Sequence, residues 1–211
     1  MPILKHSINM HFVRPLFILP YLYSNAVWRL KEEKNNIFLT FDDGPIPEIT
    51  PWILDCLKER NVKACFFCVA DNVRKYPDIF QRILTEGHQV GNHTYNHLKG
   101  WNTNDSVYLA NVEKADQLIN SSLFRPPYGR IKKSQLREVS KKYRVIMWDV
   151  LTGDYDKRIS PEQCLQNAVN YTRSGSIIVF HDNIKAIENV QYALPRAIDQ
   201  LLAKGYNFAS L

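Results

Sequence analysis

The sequence lacks an apolar run long enough to cross a bilayer, which takes about 20 residues. In the most apolar candidate, residues 14–28, only positions 16–19 are uninterrupted, and Pro15 and Pro20 bracket them. Pro20 and the tyrosines also break the apolar centre that a secretory signal requires. We therefore expect an N-terminal extension over residues 1–35 that packs against the protein, and a cytoplasmic location. An interfacial membrane anchor formed by residues 14–28 is the alternative.

Cysteine is also scarce, with four residues in 211. Four cysteines in a chain of this length do not make a disulfide framework. Cys65 and Cys68 form a C-x-x-C pair, which could be a redox or zinc pair. However, they lie in an apolar run over residues 64–69 that predicts a buried strand. Strand side chains three positions apart point to opposite faces, so we interpret both cysteines as structural. Free thiols in a core fit a reducing compartment.

A contiguous block of basic residues is absent, although 27 Lys and Arg against 21 Asp and Glu leave a net charge of +6. Basic and acidic residues are interspersed, which does not favour nucleic-acid binding. If the positive excess matters, we expect it to attract an anionic glycan or envelope surface. The sequence also lacks a linker, a low-complexity segment or a convincing repeat. Its length therefore predicts a single domain over residues 36–211 behind the extension.

From residue 36 onward, short apolar runs alternate with helical stretches. The runs predict seven strands, at 37–41, 64–69, 89–92, 123–125, 144–148, 176–180 and 206–208. The stretches between them predict six helices, near 49–60, 76–86, 104–120, 132–142, 161–173 and 190–204. This alternation predicts an α/β fold with a parallel sheet, either open or closed into a barrel. In both architectures, function gathers at the carboxyl ends of the strands.

Two adjacent carboxylates, Asp42 and Asp43, directly follow the first predicted strand, and Gly44-Pro45 then forms a tight turn. Burying two carboxylates is costly unless a positive charge or a metal ion compensates. An aspartate before Gly-Pro is also common turn chemistry. The motif alone therefore leaves a functional and a structural interpretation open.

Two histidines, His93 and His97, follow the third predicted strand with the spacing H-x-x-x-H. At this spacing both can lie on one face of a helical turn and reach one metal ion. The pair is weak evidence by itself, but it lies in the same layer as the two aspartates. Two histidines and one carboxylate make a three-ligand set that leaves a position for water, as in catalytic zinc sites.

Further polar residues follow the remaining strands. Arg125 begins the motif Arg-Pro-Pro-Tyr-Gly, in which two prolines stiffen the backbone and orient Arg125 and the Tyr128 amide. Asp154 follows the fifth strand, and His181 ends the sixth. A lone histidine after a strand is usually structural, but this one belongs to a series of polar strand ends.

The motifs TFDDGP, HTYNH, RPPYG, a tryptophan-containing segment with a later aspartate, and VFHD occur in this order. This series resembles the polysaccharide deacetylase family, also called carbohydrate esterase family four, over residues 36–211. The resemblance implies a distorted (β/α) barrel of seven parallel strands. It also implies metal-dependent removal of N-acetyl or O-acetyl groups from glycans such as chitin oligomers and peptidoglycan.

The resemblance implies roles for the residues that act on water. Asp43, His93 and His97 resemble the metal ligands. Asp42 resembles the general base that deprotonates the attacking water, and Arg125 resembles the arginine that orients this base. The ion is divalent; imidazole and carboxylate ligands suit zinc best, while cobalt and nickel are alternatives.

The resemblance also implies roles on the leaving-group side. His181 resembles the general acid that protonates the leaving amine, and Asp154 resembles its acidic partner. The backbone N–H of Tyr128 resembles the oxyanion donor, and Pro127 and Tyr155 belong to the expected substrate-binding surface. The family often has tryptophan where Tyr155 stands, so the shape of the groove differs there.

Four aromatic residues are candidates for stacking on sugar rings, with core packing as the alternative: Tyr95, Trp101, Trp148 and Tyr155. The sequence thus predicts a metal-dependent deacetylase acting on an acetylated glycan or amino-sugar precursor. A related hydrolase of a small non-glycan amide and a non-catalytic glycan-binding protein on the same scaffold are the alternatives. No nucleic-acid partner is expected, and the oligomeric state is left open.

Overall fold

The structure, a computed structural model, describes residues 13–211. Its strands are β1 (Ala26–Val27), β2 (Asn36–Asp42), β3 (Cys65–Cys68), β4 (Gln89–Asn92), β5 (Leu123–Phe124), β6 (Arg144–Ile146), β7 (Val150–Leu151), β8 (Ile177–His181) and β9 (Asn207–Phe208). Its α-helices are α1 (Leu19–Leu22), α2 (Thr50–Glu59), α3 (Ala70–Lys75), α4 (Pro77–Thr85), α5 (Asp105–Ile119), α6 (Lys133–Val139), α7 (Pro161–Tyr171) and α8 (Ile187–Ala203).

The strands form one parallel sheet in the order β1-β6-β5-β4-β3-β2-β8-β7, and β9 pairs with the start of β2. β6 and β7 are successive pieces of one stretch of chain, residues 144–151. β6 pairs with β5 while β7 pairs with β8, so this stretch joins the two ends of the sheet. The sheet is therefore a distorted barrel, and the fold class predicted from the sequence is confirmed.

All seven predicted strands are present, but residues 13–211 contain nine. The two additions, β1 and β7, are only two residues long, which is too short for an alternating pattern to reveal. The break between β6 and β7 lies at residues 147–149. There Asp149 turns inward to bind Arg173 and Ser176, at 2.7 Å each. This ion pair, in which Asp149 is buried and Arg173 is partly exposed, lies at the break between β6 and β7.

All six predicted helices are also present, and α1 and α3 were not predicted. α3 directly follows β3 and ends before Tyr76, whose φ is −129°. Pro77 disfavours the helical conformation in the residue before it. Residues 70–85 therefore form two helices, α3 and α4, instead of one continuous helix. Local residues account for two helix termini. Gly87, just after α4, has a φ of +77°, which glycine adopts readily. The Ser160 hydroxyl accepts a hydrogen bond from the Gln163 amide at the start of α7.

The barrel interior is filled from below by one buried apolar cluster: Phe38, Cys65, Phe67, Leu123, Ile146 and Ile177. A larger cluster lies outside the sheet, beneath the helices, and includes Cys68. Cys65 and Cys68 thus face opposite sides of β3, as predicted, and both thiols are free and buried. Burial raises the pKa of Cys65 to about 12, which makes it inert at neutral pH. The interpretation of this pair as structural is confirmed.

Part of the expected N-terminal extension joins the sheet, because β1 pairs with β6. Residues 1–12 of the extension lie outside the described residues, and the boundary at residue 36 stays a prediction. Within residues 13–211, no helix has both the length and the apolar character needed to cross a membrane.

Candidate active site

The carboxyl ends of β2, β4, β5 and β8 meet around an open pocket of about 680 Å³. The strand ends converge because every strand pair in the sheet is parallel, so the residues that follow them reach the same rim. The pocket is lined by Asp42, Asp43, Ile46, His93, His97, Tyr128, Gly129, Arg130, Trp148, Leu151, Tyr155, His181, Asn183, Ile184 and Lys185. Most of the residues singled out in the sequence are among them.

One carboxylate and two imidazoles converge at the base of this pocket. Asp43 Oδ1 lies 3.0 Å from His97 Nε2 and 3.6 Å from His93 Nε2. The three groups offer ligand atoms within 4.8 Å of one another. Asp43 Oδ1 is buried and has no hydrogen-bond partner within the described chain. A buried carboxylate oxygen facing two ring nitrogens fits a divalent cation, which would satisfy all three atoms together.

The hydrogen bonds of His93 support the same fit. Its Nδ1 lies 2.7 Å from the carbonyl oxygen of Arg125. A carbonyl can only accept a hydrogen bond, so the proton of the neutral ring resides on Nδ1. The lone pair of Nε2 is therefore directed at Asp43, in the tautomer that a metal ligand requires.

Two asparagines hold Asp43 in place, one at its carboxylate and one at its backbone carbonyl. Asn183 Nδ2 donates to Asp43 Oδ2 at 2.6 Å, and Asn72 Nδ2 donates to the Asp43 carbonyl at 2.8 Å. The bond from Asn183 occupies one carboxylate oxygen and leaves Oδ1 toward the histidines. Burial would raise the pKa of Asp43, but His93 and His97 hold it well below its usual range. Asp43 is therefore ionised, as a ligand must be.

The two histidines converge, but not on a regular helical turn as their spacing suggested. Residues 93–97 form an irregular turn in which Thr94 and His97 have positive φ values, 65° and 59°. Side chains stabilise the turn: Oδ1 of the preceding residue, Asn92, accepts from the Thr94 amide, and Asn111 Oδ1 in α5 accepts from the Tyr95 amide. Side-chain acceptors thus replace the helical hydrogen bonds that the spacing implied.

Backbone strain is concentrated at this site. Apart from glycine and asparagine, four residues of the described chain have positive φ: Asp43, Thr94, His97 and Tyr128. Three of these four line the pocket. Such conformations cost about 1–3 kcal/mol each and persist where the surrounding structure enforces them, which is typical of functional sites.

Asp42 forms a buried ion pair with Arg125. Arg125 Nη1 donates to Asp42 Oδ1 at 2.6 Å and to Thr40 Oγ1 at 2.8 Å, while its other nitrogens donate to the carbonyls of Ile146 and Met147. The guanidinium is fully buried and lies over the Phe67 ring. A buried charge with this many partners is immobile, so the position of Asp42 at the pocket floor is set by the barrel interior.

His181 is paired with Asp154 on the opposite wall. Its Nδ1 lies 2.8 Å from Asp154 Oδ1, and its backbone amide donates to Asp154 Oδ2 at 2.5 Å. Burial lowers the pKa of His181, but Asp154, with Asp43 and Asp42 further away, raises it to about 9. The imidazole is therefore protonated at neutral pH and can donate a proton.

The aromatic candidates divide into two groups. Trp148 and Tyr155 line the pocket, together with Tyr128, which was not a stacking candidate. The centroid of the Tyr155 ring lies 4.8 Å from that of His181, edge-on, and the centroid of the Tyr128 ring lies 4.5 Å from that of His97. Tyr95 and Trp101 do not line it, although both were candidates for sugar stacking. The Trp101 indole donates to the Ile131 carbonyl instead, outside the pocket.

Asp182, which the sequence interpretation left without a role, supports the Asp42-Asp43 turn. Asp182 accepts from the Gly44 amide at 2.9 Å and from the Thr50 hydroxyl at 2.7 Å. A Cβ at Gly44 would lie 1.7 Å from Asp182 Oδ2, so only glycine fits here. Asp182 and Asn183 directly follow His181 in the sequence; this position is the signal that could have pointed to them.

Barrels that gather one carboxylate and two histidines beside separate acid and base groups are suited to hydrolysis with a divalent metal ion. Comparison with known proteins specifies the family. Residues 29–147 match the family model described as polysaccharide deacetylase. The chain belongs to the polysaccharide deacetylase family.

Individual relatives agree with this assignment. A peptidoglycan-N-acetylglucosamine deacetylase of Bacillus cereus is 37% identical over 186 residues, which cover 84% of this chain and 67% of that protein. The crystal structure of the Bc1960 peptidoglycan N-acetylglucosamine deacetylase is 34% identical with a TM-score of 0.86, covering 93% of this chain and 95% of that one. A CE4 family pseudoenzyme of Bacillus anthracis is 26% identical with a TM-score of 0.79, covering 88% and 67%.

Proposed function

We propose that this protein is a metal-dependent deacetylase that removes N-acetyl groups from an N-acetylglucosamine-type glycan or sugar precursor. The observation that carries the proposal is the convergence of three groups on one pocket. These are the Asp43-His93-His97 cluster, the Asp42-Arg125 pair and the His181-Asp154 pair. Family membership and the names of the relatives support the same reaction.

Asp43, His93 and His97 would hold the metal ion, and zinc suits this donor set best, with cobalt and nickel as alternatives. A bound divalent ion would lower the pKa of a water molecule and polarise the acetyl carbonyl. Asp42 takes the proton from the attacking water, and its ion pair with Arg125 orients the accepting carboxylate.

The remaining residues act on the substrate. The Tyr128 backbone N–H donates to the developing oxyanion, held by the positive φ of this residue and by buried Pro127 before it. His181 gives its proton to the leaving amine nitrogen, which is a poor leaving group when unprotonated. Asp154 orients the His181 ring and stabilises its charged form. The rings of Tyr128, Trp148 and Tyr155 border the space where a sugar would stack.

A glycan is favoured over a small amide by the shape of the pocket, which is open and bordered by exposed aromatic rings. Tyr128 is 61% exposed, so the rim does not enclose a small ligand. Acetate release from N-acetylglucosamine oligomers of increasing length should rise with length, since added sugars contact more of the rim. Faster hydrolysis of a small cyclic or linear amide than of any oligomer would favour the alternative substrate.

The pH dependence of the reaction depends on the Asp154-His181 pair. As general acid, His181 must be protonated, so kcat/KM should fall as the pH rises through its pKa of about 9. In Asp154→Asn the carboxylate that raises this pKa is removed, and burial, which lowers it, remains. We expect the alkaline limb of the pH profile to move to lower pH by about one unit or more. Asp78→Asn, an exposed control, should leave the limb in place; an unmoved limb in Asp154→Asn would contradict the assigned pair.

Asn183 should influence metal affinity without contacting the ion. In Asn183→Ala, Asp43 loses the hydrogen bond that directs its Oδ1 toward the histidines. We expect zinc affinity, measured by competition with a chromophoric chelator, to fall by about tenfold or more. Asn170→Ala, in which an exposed helical asparagine is removed, is the matched control. Equal zinc affinity in Asn183→Ala and Asn170→Ala would exclude this role.

The cytoplasmic location expected from the sequence stays a prediction. Fractionation of cells that express the full chain, or a chain lacking residues 14–28, would test it. Recovery of the full chain with membranes and of the shortened chain in the cytosol would favour the anchor alternative.

A further inference from the structure

A cluster of large apolar side chains lies exposed near the N-terminus of the described chain. It consists of Leu16, Phe17, Ile18, Tyr21 and Leu22, which we call the N-terminal apolar patch. Phe17 is 85% exposed and Tyr21 80%. The other large apolar residues that are exposed within residues 13–211 are spread from position 84 to position 202. Contiguous apolar surface of this kind indicates a contact with another molecule or with a membrane.

The protein core holds the patch in place. Leu19 and Tyr23 point inward and pack against the buried cluster that contains Leu136 and Tyr143. The segment 16–23 therefore carries apolar side chains on both its inner and its outer side, and those on the outer side are exposed to solvent. Packing of the inner side keeps the outer side chains exposed on the surface.

The net positive charge of the protein arises from one short segment. Residues 130–144 contain seven of the 27 basic residues and one of the 21 acidic residues. The rest of the chain has 20 of each, so this segment, which we call the basic segment, accounts for the whole net charge of +6. Basic and acidic residues balance in the rest of the chain, but in this segment basic residues predominate. Its exposed basic residues are Arg130, Lys133, Arg137, Lys141, Lys142 and Arg144.

The patch and the basic segment adjoin. A surface groove of about 360 Å³ has Leu22 and Tyr23 on one side and Lys133 and Arg137 on the other. Apolar side chains beside a row of basic residues are the combination that binds the interface of anionic lipid bilayers. The apolar groups enter the headgroup region, and the basic residues near the surface are attracted to the anionic lipids.

We propose that the N-terminal apolar patch and the basic segment together dock this protein on the surface of an anionic lipid bilayer. A symmetric contact between two copies is disfavoured, because it would bring two basic segments of equal charge together. Nucleic acid would use the basic segment but would leave the aliphatic side chains of the patch in water. The proposal does not depend on the catalytic residues.

Co-sedimentation of the full chain with lipid vesicles tests the proposal. We expect binding to vesicles of phosphatidylcholine mixed with phosphatidylglycerol, weaker binding in high salt, and little binding to phosphatidylcholine alone. The double variants Phe17→Ser/Tyr21→Ser and Lys133→Glu/Arg137→Glu should each reduce binding by about tenfold or more. The matched controls are Leu202→Ser and Lys58→Glu, which change an exposed apolar and an exposed basic residue elsewhere; both should bind like the parent.

All the substituted side chains are exposed, and thermal melting of each variant checks that it is folded. Equal sedimentation with and without phosphatidylglycerol, or unchanged binding in either double variant, would overturn the proposal. The proposal would also be overturned if the protein does not bind vesicles but self-associates, and Phe17→Ser/Tyr21→Ser abolishes the self-association. That result would assign the patch to a contact between copies. Binding of the parent to DNA but not to vesicles would also contradict it.

Discussion

The Asp42→Asn variant is expected to bind zinc as tightly as the parent and to release acetate about a thousandfold more slowly. Asparagine has the shape of aspartate and can still accept a hydrogen bond from Arg125, but it cannot take a proton from water. The ligand cluster does not include Asp42, so metal binding should persist. Zinc content and acetate release, both measured on the same preparation, separate the two effects.

The substitution also affects stability, because fully buried Arg125 loses its anionic partner. Breaking a buried ion pair from one side costs about 3–5 kcal/mol, although the retained hydrogen bond reduces this cost. Thermal melting must therefore accompany the assay, and Asp71→Asn, at a partly exposed ion pair, is the control. A folded, zinc-loaded Asp42→Asn enzyme with parental activity would show that another group is the base.

The His97→Ala variant is expected to lose both zinc and activity. It removes one of three ligands, so zinc affinity should fall by more than about a hundredfold, beyond the loss caused by removing an orienting neighbour. Asn96→Ala changes an exposed residue of the same turn and should retain zinc. Equilibrium dialysis of both variants against zinc measures the difference. Full zinc occupancy in His97→Ala would refute its assignment as a ligand.

These two variants separate metal binding from proton transfer. Asp42→Asn should keep the metal and lose the reaction, whereas His97→Ala should lose both. The distinction follows from the positions of the two neighbouring aspartates. Asp43 faces the histidines at 3.0 and 3.6 Å, while Asp42 is turned toward Arg125 at 2.6 Å.

Much of the fold and the set of residues at the pocket could be predicted from the sequence. The strands are short and apolar with clear boundaries, and parallel pairing brings residues that follow different strands to one rim. This is why Asp42, His93, Arg125 and His181, which are far apart in the sequence, could be expected around one pocket. Their motifs also carried the resemblance to the polysaccharide deacetylase family.

Features that depend on tertiary contacts could not be predicted. The turn at residues 93–97 has positive φ values and is held by the neighbouring Asn92 and by Asn111 of α5, and the contact with Asn111 depends on the fold. The supporting roles of Asp182 and Asn183 depend on contacts with residues about 140 positions away. Closure of the barrel comes from the pairing of β6 with β5 and of β7 with β8, which local propensity does not encode.

The surface near the N-terminus also required the structure. The sequence shows a short apolar segment and, separately, a basic stretch about 110 residues later. Only folding brings Leu22 and Lys133 to the same groove. The sequence alone therefore favoured simple packing of residues 14–28, whereas the exposed side chains of Phe17 and Tyr21 within them favour the proposed contact with a lipid surface.

Acetate release from N-acetylglucosamine oligomers, with and without a metal chelator, tests the central claim most directly. We expect the zinc-supplied protein to release acetate, a chelator to stop the release, and added zinc to restore it, since Asp43, His93 and His97 would bind the ion reversibly. Release that persists after complete metal removal would contradict the proposed metal dependence. A folded, zinc-loaded protein that releases no acetate from any acetylated glycan or amide would contradict the assignment as an enzyme and favour a non-catalytic glycan-binding protein.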